Sequence, residues 1–311
     1  MKRSVFIRSF AILLISCIFC SILSGCGSSS KSSSSEPPVY SPLRVLVPEA
    51  PGSDTLGSSP LTLDVSNITQ GYFAAQSDSA DLVTSLQITA PTGVLYSYFI
   101  EPGENAVIPF TEGDGDYTVV GYQQIQGDQY AALYSETLTV ELENEFLPFL
   151  YPNQYVNFSP DSEASKLALS MVSENTSDID ALKQIYNYVV NNLSYDYDKA
   201  ETVETGYLPD VDETLSTKTG ICFDYAALTT AMLRSCDIPC KLQIGYTGDI
   251  KHAWIDVYIR SKGWVTNAVS FNGDSWSLMD PTFDSSADSD DSEAIQDYIG
   301  NADNYTVQFT R

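Results

Sequence analysis

The chain has 311 residues, 43% of them hydrophobic, which is enough for two ordinary domains and a sizeable core. Its 15 basic residues face 41 acidic ones, for a formal net charge of −26. That balance argues against a nucleic-acid partner and against polybasic attraction to a membrane, and it reads as a solvated, mutually repelling extracellular surface.

Lys2, Arg3 and Arg8 precede an apolar run from Phe10 to Leu23. Charge and length make residues 1–25 a signal peptide, too short to span a bilayer. The run ends in Leu23-Ser24-Gly25-Cys26, which resembles a bacterial lipobox, where cleavage before Cys26 frees it for lipid attachment. Residues 26–42 are serine-rich and cannot bury a core. As a flexible tether of about 16 residues they would span roughly 20–25 Å. The expectation is an extracytoplasmic protein, lipid-anchored to the outer face of a bacterial membrane.

Residues 43–145 read as an all-β domain. Alternation marks strands at Leu61–Val65, Leu86–Thr89, Leu95–Phe99, Tyr117–Val120 and Leu138–Leu142. Turn residues fall between them at 91–93, 102–103, 113–116 and 127–128. Short strands at this spacing suggest an immunoglobulin- or fibronectin-like sandwich. Gly113–Asp116 lacks the full ligand spacing of a calcium loop and reads as a turn. Nothing in this region carries chemistry, so a spacer or binding module is expected.

Residues 146–160, rich in proline and aromatics, form a packed connection to a second domain, 161–311. It opens with helices over Glu163–Val172 and from a cap at Ser177. Ile179, Leu182, Ile185, Tyr186, Val189, Val190 and Leu193 form a core-facing stripe of the second helix. Tyr197–Thr219 is polar and reads as a long loop bordering a cleft. A buried helix then runs from Cys222 toward Pro239, and strands follow at 242–246, 252–260, 263–266, 276–279 and 305–309. Ser285–Glu293 is an acidic surface run. The expected class is α+β, a β-sandwich followed by helices packed on an antiparallel sheet.

Cys222 is the candidate nucleophile. It stands at the helix start, where unpaired N–H groups favour a thiolate and should lower the thiol pKa. His252, the single histidine, lies in His252-Ala253-Trp254, and Asp280 lies in Asp280-Pro281-Thr282. Cysteine, histidine and aspartate supply a nucleophile, a base that becomes the acid, and a carboxylate that orients the imidazole. The Cys222 N–H is one oxyanion donor by position. Cys236 and Cys240 leave a disulfide open, although a buried free cysteine is the commoner state. Scattered cysteines and one histidine make no zinc site, and this chemistry needs no cofactor.

Gly220-Ile221-Cys222-Phe223-Asp224-Tyr225-Ala226, His252-Ala253-Trp254 and Asp280-Pro281-Thr282 together resemble the bacterial transglutaminase-like superfamily, whose core is related to papain-type cysteine proteases. Asn191–Asp196, Met232-Leu233-Arg234 through Ile238-Pro239, and Gly245-Tyr246 extend the resemblance over roughly residues 160–285. Asp237 stands where that family often has glycine. The resemblance implies Tyr195 as a second oxyanion donor. It also implies acyl transfer through a Cys222 thioester on amide bonds, most often hydrolytic, and a place on the outer membrane face would put peptides, surface proteins and cell-wall peptide within reach. Protein cross-linking and a non-catalytic surface-binding role are the alternatives.

Overall fold

The computed structural model describes residues 44–271, 276–278 and 305–311. The signal, lipobox and tether stretches, Asp280 and the acidic run at 285–293 lie outside the described residues.

Among the described residues, eight strands precede the first α-helix: β1 (Thr55–Ser58), β2 (Leu61–Asp64), β3 (Tyr72–Ser77), β4 (Thr84–Thr89), β5 (Leu95–Ile100), β6 (Asn105–Pro109), β7 (Gly115–Gln126) and β8 (Gln129–Val140). They form two antiparallel sheets, ordered β1-β2-β3-β6 and β5-β4-β7-β8. Alternate residues of both, among them Leu61, Leu63, Phe73, Leu86, Ile88, Tyr96, Tyr98, Ile108, Val119 and Leu138, bury into one shared core. The expected strands are present, and β1, β3 and β6 are additional. The acids of the 113–116 turn close strand ends: Asp114 accepts the Leu142 N–H and Asp116 accepts the Thr139 hydroxyl.

The connection from Phe146 onward is packed, with Phe149, Leu150, Val156 and Phe158 buried. Two helices follow, α1 (Glu163–Met171) and α2 (Asp178–Asn192). Ser177 caps α2 by accepting the Asp180 N–H, and the stripe residues Leu182, Ile185 and Val189 are buried. The segment expected as one long loop instead holds α3 (Tyr197–Thr202) and α4 (Val211–Thr217), between the two-residue strands β9 (Ser194–Tyr195) and β10 (Thr219–Gly220). Asp196 and Asp210 start these short helices by accepting N–H groups of their first turns.

The buried helix is α5 (Cys222–Ser235), packed on α1, α2, α4 and the strands behind it. Thr229 and Thr230 are poor helix formers, costing about 0.5 kcal/mol each. Burial of Leu228, Met232 and Leu233, worth roughly 1.5–3 kcal/mol per side chain, outweighs that. The helix stops before Asp237, which adopts a left-handed φ of 59°. That backbone position explains why glycine suits it.

Behind α5 lies the antiparallel sheet β14-β13-β12-β11-β15, built from β11 (Cys240–Thr247), β12 (Ile250–Ile259), β13 (Gly263–Phe271), β14 (Trp276–Leu278) and β15 (Tyr305–Thr310). Arg234, 1% exposed, ties helix to sheet. Its guanidinium donates to the carbonyls of Cys240, Tyr151 and Arg311 at 2.8–3.0 Å.

Candidate active site

Cys222 opens α5, and a buried carboxylate one turn in sets its position. Asp224 is fully buried and accepts the Ile221 N–H at 2.8 Å, which caps the helix. A β-carbon at Gly220 would stand 2.6 Å from the Asp224 Cβ, so only glycine leaves that carboxylate room. The same carboxylate holds the Lys199 ammonium at 2.8 Å and accepts a hydrogen bond from the Tyr207 hydroxyl. Lys199 also donates to Tyr207 Oη at 2.7 Å. Asp224 therefore fastens both ends of the 199–207 segment to the start of the nucleophile helix. The sequence marks Asp224 only as a helix-start residue.

His252 is presented by β12, where it faces Gly245 of β11. A β-carbon at Gly245 would lie 2.0 Å from the Thr306 carbonyl oxygen and 3.0 Å from Trp254, so glycine is what lets β15 close on this strand. The β11–β15 register shifts between Ile244 and Gly245, a bulge beside the histidine. Trp254, fully buried, stacks with His252 at a centroid distance of 6.3 Å.

Cys222, His252 and Tyr195 line one cleft of about 420 Å³. Among the site residues read from the sequence, these three share it, while Asp280 and Cys26 lie outside the described residues. Cys222 is partly exposed there. Burial pushes its thiol pKa up, against hydrogen bonding from the backbone of Ala253, Phe223 and Cys222 itself. Burial pushes His252 down to about 4. This runs against the expectation of a thiol lowered by the helix start: desolvation of the sulphur outweighs the hydrogen bonds that lower it. Tyr195 is raised to about 12, by burial first and then by Cys222, so its phenol keeps its proton. Cys236 and Cys240 are free and buried, each raised to about 12 by burial, so the disulfide left open by the sequence is not formed.

The cleft has a wall that the sequence did not reveal. Leu95, Ser97 and Phe99 of β5 line it, together with Ala200 and residues 203–208. The region expected to be chemically silent thus contributes to the site. Three hydrogen bonds hold β5 in place: Gln154 Nε2 to the Phe99 carbonyl (2.6 Å), Tyr155 Oη to the Ser97 carbonyl (3.4 Å) and Arg311 Nη1 to Tyr98 Oη (2.8 Å). The Arg311 guanidinium lies over the Tyr96, Tyr98 and Tyr155 rings at 4.2–4.7 Å. Single outward-facing apolar residues on a strand carry no signal by themselves, and only the packed connection brings them to the thiol.

Comparisons with known proteins agree with the core. Residues 165–281 match the model of the Transglutaminase-like superfamily, a span that takes in Cys222, His252 and Asp280. The chain is 40% identical over 62 residues to the UPF0252 protein MJ1282 of Methanocaldococcus jannaschii, covering 18% of each. It is 24% identical over 183 residues to the uncharacterized protein YebA of Bacillus subtilis, covering 51% of this chain and 25% of that one. The chain thus spans a quarter or less of the length of these curated relatives. A crystallised candidate cysteine protease from Cytophaga hutchinsonii is 17% identical, with 65% of this chain and 78% of that chain covered and a TM-score of 0.33. Residues 165–281 of this chain belong to the transglutaminase-like superfamily.

Proposed function

We propose that the protein is a thiol acyl-transfer enzyme acting on amide bonds of peptides, proteins or cell-wall peptide, with Cys222 as nucleophile, His252 as base then acid, and Asp280 as the carboxylate that orients the imidazole. The observation that carries this reading is the meeting of a helix-start cysteine and the chain's single histidine in one cleft. The thiol proton passes to His252 as sulphur attacks the carbonyl carbon. The imidazolium gives that proton to the leaving amine as the C–N bond breaks, leaving a thioester on Cys222. A water, deprotonated by His252, then attacks the thioester and releases the carboxylic acid and the thiol. The Tyr195 hydroxyl and the Cys222 backbone amide, which turns from Tyr195 to the substrate oxygen, are the donors for the intermediate's oxygen anion.

Around this chemistry we place an immunoglobulin/fibronectin-like module at 43–145, a connection at 146–160 and the catalytic domain at 161–311. The strand order β2-β3-β6 against β5-β4-β7-β8 supports the module. So does Tyr117, whose hydroxyl donates to the Gly113 carbonyl at 2.8 Å and accepts the Glu112 N–H, as a tyrosine corner does. A lipid on Cys26 would hold the enzyme at the outer face of a bacterial membrane, where surface proteins and wall peptide are within reach.

The test is acyl-enzyme trapping with p-nitrophenyl acetate, read by peptide mass mapping with and without an added primary amine. Acetyl on Cys222, lost in Cys222→Ala and slowed about 10²–10⁴-fold in His252→Ala, is expected. Free acetate as the main product assigns hydrolysis, and acetylated amine assigns cross-linking. Absence of a Cys222 adduct would leave the surface-binding reading in its place.

A further inference from the structure

We infer that β5 supplies a substrate-specificity slot: Leu95 and Phe99, with Val203 and Leu208 of the segment tied to Asp224, receive a bulky apolar side chain of the peptide whose amide reaches Cys222. This deepens the function proposed above and rests on it for the identity of the reacting thiol.

Leu95 and Phe99 are 50% and 47% exposed, and Val203 and Leu208 are each 38% exposed. All four line the Cys222 cleft. Isolated exposed apolar residues need no explanation, but four that converge on one concave site do. The cleft volume, about 420 Å³, falls within the range of about 300–1,000 Å³ usual for ligand sites. The inner face of the same strand shows what the outer face forgoes: Tyr96, Tyr98 and Ile100 are almost wholly buried in the two-sheet core.

The occupant is a peptide side chain rather than a peptide backbone. The Phe99 and Ser97 carbonyls at the free edge of β5 are already engaged by Gln154 and Tyr155, so an added strand would have to displace those bonds. The slot is also continuous with the site: Tyr155 stands between β5 and α5, its ring 5.7 Å from Tyr98 and 6.2 Å from Phe223, the residue after the nucleophile. The other wall is fixed as well, because Lys199 and Tyr207 flank Val203 and are both anchored on Asp224. Both sides of the slot are therefore built before substrate arrives, and little ordering cost opposes binding.

The experiment measures equilibrium binding, by fluorescence anisotropy, of two labelled, blocked peptides that differ only in a central Phe or Ser. Full-length protein carrying Cys222→Ala is used, so that turnover plays no part. The Phe peptide should bind at least about tenfold tighter, as burial of one aromatic side chain allows. Leu95→Ser with Phe99→Ser should erase the difference, whereas Ile125→Ser, an exposed apolar position outside the cleft, should leave it intact. Equal binding of the two peptides, or a Phe preference that survives the double substitution, would overturn the slot. Iodoacetamide labelling of the unsubstituted protein is read separately: a slot with an inert Cys222 keeps the binding inference and removes the acyl-transfer reading.

Discussion

Among the described residues, the two-sheet region contributes only uncharged polar side chains to the buried set, Ser77, Ser79, Thr84 and Ser85, whereas the helix-and-sheet region contributes Asp178, Asp224, Arg234, Asp256 and Arg311, the last reaching across to Tyr96 and Tyr98 of β5. The first region rests mainly on alternation, since most of its strands fix their register by placing every second residue inside. The second has a harder geometric task. The first residue of α5 must face a cleft, and apolar contact alone lets a helix rotate or slide. Directional bonds at both ends prevent that, with Asp224 near the start and Arg234 near the end. Buried charges are costly unless fully partnered, and here they stand where positioning matters.

The sharpest way to break this contrast is to remove one ion from α5 and one hydroxyl from the sheets. Arg234→Leu strands the carbonyls of Cys240, Tyr151 and Arg311 and should cost about 3–5 kcal/mol in urea unfolding. Thr84→Val removes only a 3.3 Å bond to the Ile100 carbonyl and should cost about 1 kcal/mol. Equal losses would dissolve the distinction. Asp224→Ala should cost about 2–3 kcal/mol. It should also make the 199–207 segment the first site of limited proteolysis, since Lys199 and Tyr207 lose their shared anchor.

These two ions also show what a sequence displays and what it hides. Alternation exposed β2, β4, β5, β7 and β8, and helix punctuation exposed α1, α2 and α5. Strand β3 was missed because Tyr72 and Phe73 are both buried, which spoils the alternation, and β6 because it is short and ends on Pro109. Helices α3 and α4 have six and seven residues with no apolar stripe, so only their aspartate caps announced them. Cys222 and His252 were visible because their residue types and order carry chemistry. The roles of Lys199, Tyr207 and β5 were not, because each depends on a partner 17 or more residues away in sequence.

A smaller effect follows from His252. Its folded pKa, about 4, lies below the ordinary value of 6.5, so the unfolded chain takes up a proton first as the pH falls. The stability tied to the neutral imidazole is complete above about pH 6.5 and drains away toward pH 4, by roughly 3 kcal/mol. Thermal unfolding of His252→Phe should show a flatter profile over that window, and a matching slope in both proteins would contradict the burial argument.

The smallest change sharpens the account of the end of α5. Asp237→Gly relieves a left-handed φ and should stabilise by about 0.5–1 kcal/mol. Burial raises the Asp237 pKa to about 6, so its charged form is disfavoured in the folded state. Stability is therefore lost as the pH rises from 3.8 through 6, and the gain from glycine should be larger at pH 8 than at pH 5.

The central claim, that the fold holds Cys222 as a reacting thiol while keeping its other described thiols as inert packing, is tested most directly by site-resolved alkylation. Full-length protein would be treated with iodoacetamide from pH 6 to pH 10 and each cysteine followed by peptide mass mapping. The account predicts that, among the three described cysteines, Cys222 is modified first at every pH, with a rate that climbs into the alkaline range because burial raises its thiol, while Cys236 and Cys240 stay unmodified until the chain unfolds. Modification of all three at one common rate, or protection of Cys222 alongside the other two, would contradict it.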